Sequence, residues 1–236
     1  WSPNGSELIF VSNRDLGLLG IWKMSNLDGS DQAIKLTPND MSATTPVWCS
    51  DNKIYFGFVD NSGKTGIASI NPDATGLTRI IEESLGTPTG NPTCSPDNSE
   101  IAFETFRDGN SEVYLANPAD GSNQRNLTNN SNIDSQPRWS SNNKIAFFTD
   151  RDTPGVVGEF NLYIINPDGS GLQTLTDFAG REIELSWSPD ASKFTFTKVT
   201  AIGDPLHIYT MNTDGTGLVQ LTTESTNHAP AWRPRP

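Results

Sequence analysis

The Trp-Ser-Pro-Asn-Gly run that opens at Trp1 recurs along the chain, and this repetition constrains the fold more than any other feature. It returns as Trp-Cys-Ser-Asp-Asn at Trp48, Cys-Ser-Pro-Asp-Asn at Cys94, Trp-Ser-Ser-Asn-Asn at Trp139 and Trp-Ser-Pro-Asp-Ala at Trp187. A partial copy, Trp-Arg-Pro, stands at Trp232. The spacings are 47, 46, 45, 48 and 45 residues, which divide the 236-residue chain into units 1–47, 48–93, 94–138, 139–186 and 187–231. We read these units as one domain, with 229–236 as its closing strand.

Each unit has the same internal order. A short apolar segment ends in Phe10, Phe56, Phe103, Phe147 or Phe196, and a second is centred on Trp22, Ala68, Tyr114, Tyr163 or Tyr209. A turn with Asp or Gly follows, at Asn26, Asn71, Asn117, Asn166 or Asn212, and the unit ends on Leu-Thr at Leu36, Leu127, Leu175 and Leu221, with Ile80-Ile81 in its place once. Short alternating segments bounded by Asn, Asp, Gly and Pro predict strands and hairpins, and no sustained helical period is present. Counting the Trp segment, each unit holds four antiparallel strands, A to D. Four strands every 45 residues or so predict an all-β propeller, five-bladed, or part of a six-bladed or larger ring.

The order Trp-Ser-Pro-Asp, Ile-Ala-Phe, Arg-Asp-Gly, Tyr, Asp-Gly, Leu-Thr resembles the WD40-like repeat of TolB-type propellers. Unit three carries it as Cys94-Ser-Pro-Asp, Ile101-Ala-Phe, Arg107-Asp-Gly, Val113-Tyr, Asp120-Gly and Leu127-Thr. The resemblance covers essentially the whole chain. It implies one of several roles: a partner-binding platform, the gating propeller of a larger peptidase, or a carbohydrate-active body such as a lyase. Related lyases use a histidine-rich metal site, which a chain with two histidines does not match.

Spacing separates scaffold from variable surface. Blade start to Phe is 9, 8, 9, 8 and 9 residues, and the strand-C centre to the turn Asp is 6, 5, 6, 5 and 5. Phe to the strand-C centre is 12, 12, 11, 16 and 13, and Leu-Thr to the next start is 12, 14, 12, 12 and 11. The A–B and C–D turns are therefore scaffold, with Asp-Gly suggesting type I′ hairpins. The B–C and D–A loops vary, and in an antiparallel meander they emerge together on one face, where binding usually sits.

The D–A loops lead into the inner strands, so Thr45, Asn91, Asp134, Gln136, Glu182, Glu184, Asn227 and His228 should surround the channel mouth as a polar ligand site. Glu182 and Glu184 alternate, which on a strand would point both the same way; such a pair could serve glycoside hydrolysis, but with no second, sequence-distant acid the solvated reading is preferred. The Arg-Asp pairs at Arg14, Arg107 and Arg151 should tie B–C loops to their blades through backbone hydrogen bonds. The longest such loop carries Pro154, Val156 and Val157 as a candidate partner contact.

No cofactor is expected. His207 and His228, with Asp134 or Glu182, are the set that could hold a divalent metal. No nucleophile elbow, zinc-peptidase helix or phosphate-binding loop is present, so no catalytic residue is assigned. With 16 basic and 28 acidic residues the net charge is −12, which opposes nucleic-acid binding. No stretch is long enough for membrane insertion. Cys49 and Cys94 lie one residue out of phase in the repeat, so a bond between them is not expected. The reading that results is a monomeric, non-catalytic scaffold, periplasmic or extracellular, that binds a protein or peptide on the variable face.

Overall fold

A computed structural model describes the chain except residues 16, 27, 29–31, 154, 155, 157, 158, 179, 200–202, 235 and 236. It is a five-bladed propeller, and the described residues contain no helix. Blade one holds β1 (Leu8–Ser12), β2 (Gly20–Met24) and β3 (Ile34–Lys35), and blade two β4 (Met41–Trp48), β5 (Ile54–Asp60), β6 (Thr65–Ile70) and β7 (Thr78–Glu82). Blade three holds β8 (Thr89–Cys94), β9 (Ile101–Thr105), β10 (Glu112–Ala116) and β11 (Arg125–Asn126). Blade four is β12 (Asp134–Trp139), β13 (Ile145–Thr149), β14 (Asn161–Ile165) and β15 (Gln173–Thr174); blade five is β16 (Arg181–Trp187), β17 (Lys193–Val199), β18 (His207–Asn212) and β19 (Val219–Gln220). Every sheet is an antiparallel meander in chain order.

The central strands of blades two, three and four are largely apolar on both faces because both are covered by neighbouring blades. Four apolar clusters fill the boundaries from blade one to blade five. Trp48, Trp139 and Trp187 each sit in such a cluster, which accounts for the aromatic at the repeat start. In the A–B turns, the fifth repeat residue takes a left-handed conformation at Gly5, Asn52, Asn98, Asn143 and Ala191. In the C–D turns the residue after the Asp is left-handed, at Ala74, Gly121, Gly169 and Gly215, while the Asp itself is not, so these are not type I′ hairpins. In blade four the Gly169 amide donates to the Asn166 carbonyl at 2.9 Å, closing an ordinary β-turn, and Asp168 accepts the Ser170 amide and hydroxyl.

Two further expectations change here. Cys49 and Cys94 form a disulfide, with Cα atoms 6.1 Å apart, against the reading from their phase. Successive blades stack front to back, so a residue facing forward from blade two meets one facing backward from blade three. Being one residue out of phase is what brings the two sulfurs together. The closing strand is also not formed among the described residues. The sheet of blade one is three-stranded, and residues 229–234 carry no strand pairing. That segment instead follows β16, where the Trp232 amide donates to Ser186 Oγ at 3.1 Å. It ends against the first turn, where Arg233 Nε donates to the Gly5 carbonyl at 2.9 Å and the guanidinium covers the Trp1 ring.

Candidate functional site

The two variable loop sets lie on one face and are hydrogen-bonded to each other. The amides of Asn61, Phe106 and Asp150, in B–C loops, donate to the carbonyls of Asp40, Pro88 and Ile133, in D–A loops, at 3.2, 3.0 and 3.3 Å. In blade five the direction reverses, and the Asn227 amide donates to the Leu206 carbonyl at 2.7 Å.

Inside this face, four of the expected channel residues share one register. Thr45, Asn91, Gln136 and Glu184 all have left-handed backbones, as does Ala229 at the same repeat position. The four occupy a bulge of the inner strand, seen as register shifts in the pairing of β4, β8, β12 and β16. The bulge frees an amide, and the preceding blade supplies its acceptor. Asn91 donates to Thr45 Oγ1 at 3.1 Å, Gln136 to Glu104 Oε2 at 3.0 Å, Glu184 to Gln136 Oε1 at 2.9 Å and Ala229 to Glu184 Oε2 at 2.8 Å. These polar side chains thus join blade to blade.

Sequence reasoning missed two members of this wall. Glu104, on β9, accepts Asn91 Nδ2 at 2.9 Å and Ser111 Oγ at 3.0 Å as well as the Gln136 amide. Arg138 is half-buried on β12 and lies in the field of Glu104 and Glu184; burial lowers its pKa, which those carboxylates partly offset. Glu104 was detectable as a charge directly after the apolar Ile101-Ala-Phe run.

Asp134 and Glu182 do not open to the channel. Asp134 is fully buried and pairs with Arg151 at 2.8 Å, also accepting from Asn130 Nδ2. Glu182 is fully buried and accepts from Lys198 Nζ at 3.0 Å and Thr176 Oγ1 at 3.2 Å; burial pushes its pKa up to about 7, against the pull of Lys198. Glu184 instead accepts from Thr197 Oγ1 at 2.9 Å. Lys198 and Thr197 are successive residues of β17 and face opposite ways, so Glu182 and Glu184 do too. The bulge between Ile183 and Ser186 breaks the expected alternation, and the two carboxylates are not a catalytic pair.

His228 is 58% exposed and its Nδ1 lies 3.5 Å from Glu184. His207 begins β18 with a buried Nδ1 that has no hydrogen-bond partner among the described residues. Among the described residues no three His, Cys, Asp or Glu groups converge as a metal site. Asn227 uses its side chain within its own loop, on the carbonyls of Glu224 and Ser225.

The Arg-Asp pairs tie their loops differently from expectation. Arg107 stacks over Phe103 and Tyr114 at 5.7 and 4.6 Å, and Arg151 over Phe147 and Tyr163 at 5.3 and 4.8 Å. Arg14 covers Phe10 and Trp22 likewise. The Asp partner takes the tyrosine hydroxyl, Asp108 from Tyr114 and Asp152 from Tyr163. Burial and Asp108 raise the Tyr114 pKa to about 12. Val156 is exposed on the long loop of blade four, while Pro154 and Val157 lie outside the described residues.

The fold defines the class, a β-propeller built from TolB-type repeats. Residues 74–235 match the TolB beta propeller domain, and the chain belongs to that family. It is 31% identical over 180 residues to the protein TolB homolog of Chlorobium luteolum, an alignment covering 71% of this chain and 39% of that one. TolB from Acinetobacter baumannii superposes with a TM-score of 0.80 at 20% identity, over 99% of this chain and 56% of its own. An oligogalacturonate lyase in complex with manganese gives 0.65 at 15% identity, over 94% and 63%. The chain therefore spans about two-fifths of its curated relative and little more than half of the Acinetobacter protein.

Proposed function

We propose that the chain is a non-catalytic platform that binds a protein or peptide on the face formed by the B–C and D–A loops, and that it works in the periplasm. The observation that carries this reading is the asymmetry between the two faces. On one, variable loops are braced against each other and expose large apolar side chains, Leu85 at 67% and Phe106 at 38% among them. On the other, near-constant turns close on their own Asp side chains. The leucines exposed toward that second face, Leu77, Leu172 and Leu218, occupy one repeated position and so belong to the blade pattern.

The acceptors at the channel mouth, Thr45, Glu104, Gln136 and Glu184, join neighbouring blades, so this reading gives them no catalytic role. The disulfide suits an oxidising compartment. A photo-crosslinking side chain placed at Leu85 or Phe106 should capture a partner, and one at Asp168 in a fixed turn should not. Capture from Asp168 alone would overturn the proposal. Deleting residues 152–159 tests the share of the long loop.

A further inference from the structure

The wall between blades two and three differs from the others in having glycine at two facing positions. Gly57 on β5 stands where the other blades carry Val11, Glu104, Phe148 and Thr197, and Gly90 on β8 where they carry Thr44, Ser135, Ile183 and His228. A Cβ on Gly57 would come within 3.1 Å of Gly90 Cα and 3.4 Å of the Thr44 and Thr45 hydroxyls. Gly57 thus lets the two strands approach closely, and it is Gly90, where a Cβ would meet only Thr45 Oγ1 at 3.8 Å, that borders a polar cavity of about 180 Å³, lined by Thr44, Thr45, Thr89, Gly90, Asn91 and Glu104 and bounded by Pro88. Glu104 is part-exposed there. It accepts three hydrogen bonds, from Asn91, Ser111 and Gln136, and a carboxylate has about four acceptor positions, so one is left for a ligand. Arg138 lies in the field of Glu104 but forms no contact ion pair with it among the described residues. Exposed Phe106 stands beside the mouth, its amide bonded to the Pro88 carbonyl, while Leu85, earlier on the same D–A loop as Pro88, lies against Gly63.

We propose that this cavity takes the ammonium group of a lysine side chain presented by an extended segment of the partner. Glu104 and the threonine hydroxyls would receive the charge, and the methylene stem and a neighbouring apolar residue would lie on Phe106. The net charge of −12 favours such an approach. This rests on the binding-face reading and adds the chemistry of the ligand.

The probe is acetyl-Leu-Lys-Leu-amide, compared with the same peptide carrying ε-acetyllysine, titrated by NMR. The lysine peptide should shift the amides of Thr45, Gly90 and Asn91, and acetylation should weaken it by about tenfold or more. Glu104→Gln should reduce the preference for lysine, and Gly90→Val, which fills the cavity opposite Glu104 while keeping the carboxylate in the chain, should abolish it; thermal unfolding of both variants checks that they fold. Equal shifts from both peptides, or no shifts, would overturn the ammonium site and leave the binding face standing. Shifts confined to the fixed-turn face would overturn both.

Discussion

Gln136 accepts the backbone amide of Glu184 across the boundary between blades four and five, at 2.9 Å. The amide is available because Glu184 sits at a left-handed bulge, where it no longer pairs with β17. Thr45 and Glu184 serve the segment that follows them in the same way. The channel wall is thus held by a relay of side chain-to-amide bonds from one blade to the next.

Gln136→Ala removes the acceptor and leaves a part-buried amide unmet, so unfolding free energy should fall by roughly 1–3 kcal/mol in urea titration. Gln136→Glu retains an acceptor and should recover most of that loss. Equal loss from both variants would show that the bond is not what stabilises the boundary.

The Cys49–Cys94 bond closes a loop with a sequence separation of 45 between blades two and three. Elsewhere a comparable place is held by hydrogen bonds, as where the Trp139 amide donates to Thr93 Oγ1 at 3.0 Å. Val47 precedes Trp48 at the corresponding position, and its side chain has no acceptor to offer. Reduction, or Cys49→Ser with Cys94→Ser, should lower stability by about 2–4 kcal/mol, read as a shift of the denaturation midpoint with and without reductant. A midpoint indifferent to reductant would refute the staple.

Glu182 is buried in blade five with a pKa raised from 4.5 to about 7, chiefly by desolvation. Between those values the folded state binds more protons than the unfolded state. Its contribution to stability is therefore fully present below about 4.5 and is lost as pH rises through about 7. Glu182→Gln, which cannot ionise, should flatten this part of the stability–pH curve while leaving the acidic limb of the other carboxylates. A difference curve without slope in that window would show that Lys198 holds the carboxylate ionised.

Much of the fold could be read from the repeat. The strand pattern at Phe56, Phe103, Phe147 and Phe196 and the left-handed fifth residue of the A–B turns at Gly5, Asn52, Asn98 and Asn143 follow from local rules of alternation and turn chemistry, whereas Ala191 takes that conformation without a residue type that favours it. The site was less legible. Thr45, Asn91, Gln136 and Glu184 were identifiable as inner-strand residues near the channel, but the part they play between blades required knowing where the bulges fall. Asp134 and Glu182 were placed at the mouth by counting, whereas their burial depends on Arg151 and Lys198, which follow in the neighbouring strand and its loop.

The amino-acid sequence by itself determined the number of repeat units, the order of strands within them and the face on which irregular loops emerge, because these depend on the repeat period and on alternation and turn residues within a few positions of each other. The tertiary structure decided which surfaces meet: that out-of-phase cysteines join, that alternate glutamates diverge, and that Gly90 borders a hollow beside Glu104. Those outcomes arise from blades stacked front to back and from bulges that reverse side-chain direction, contacts between residues tens of positions apart.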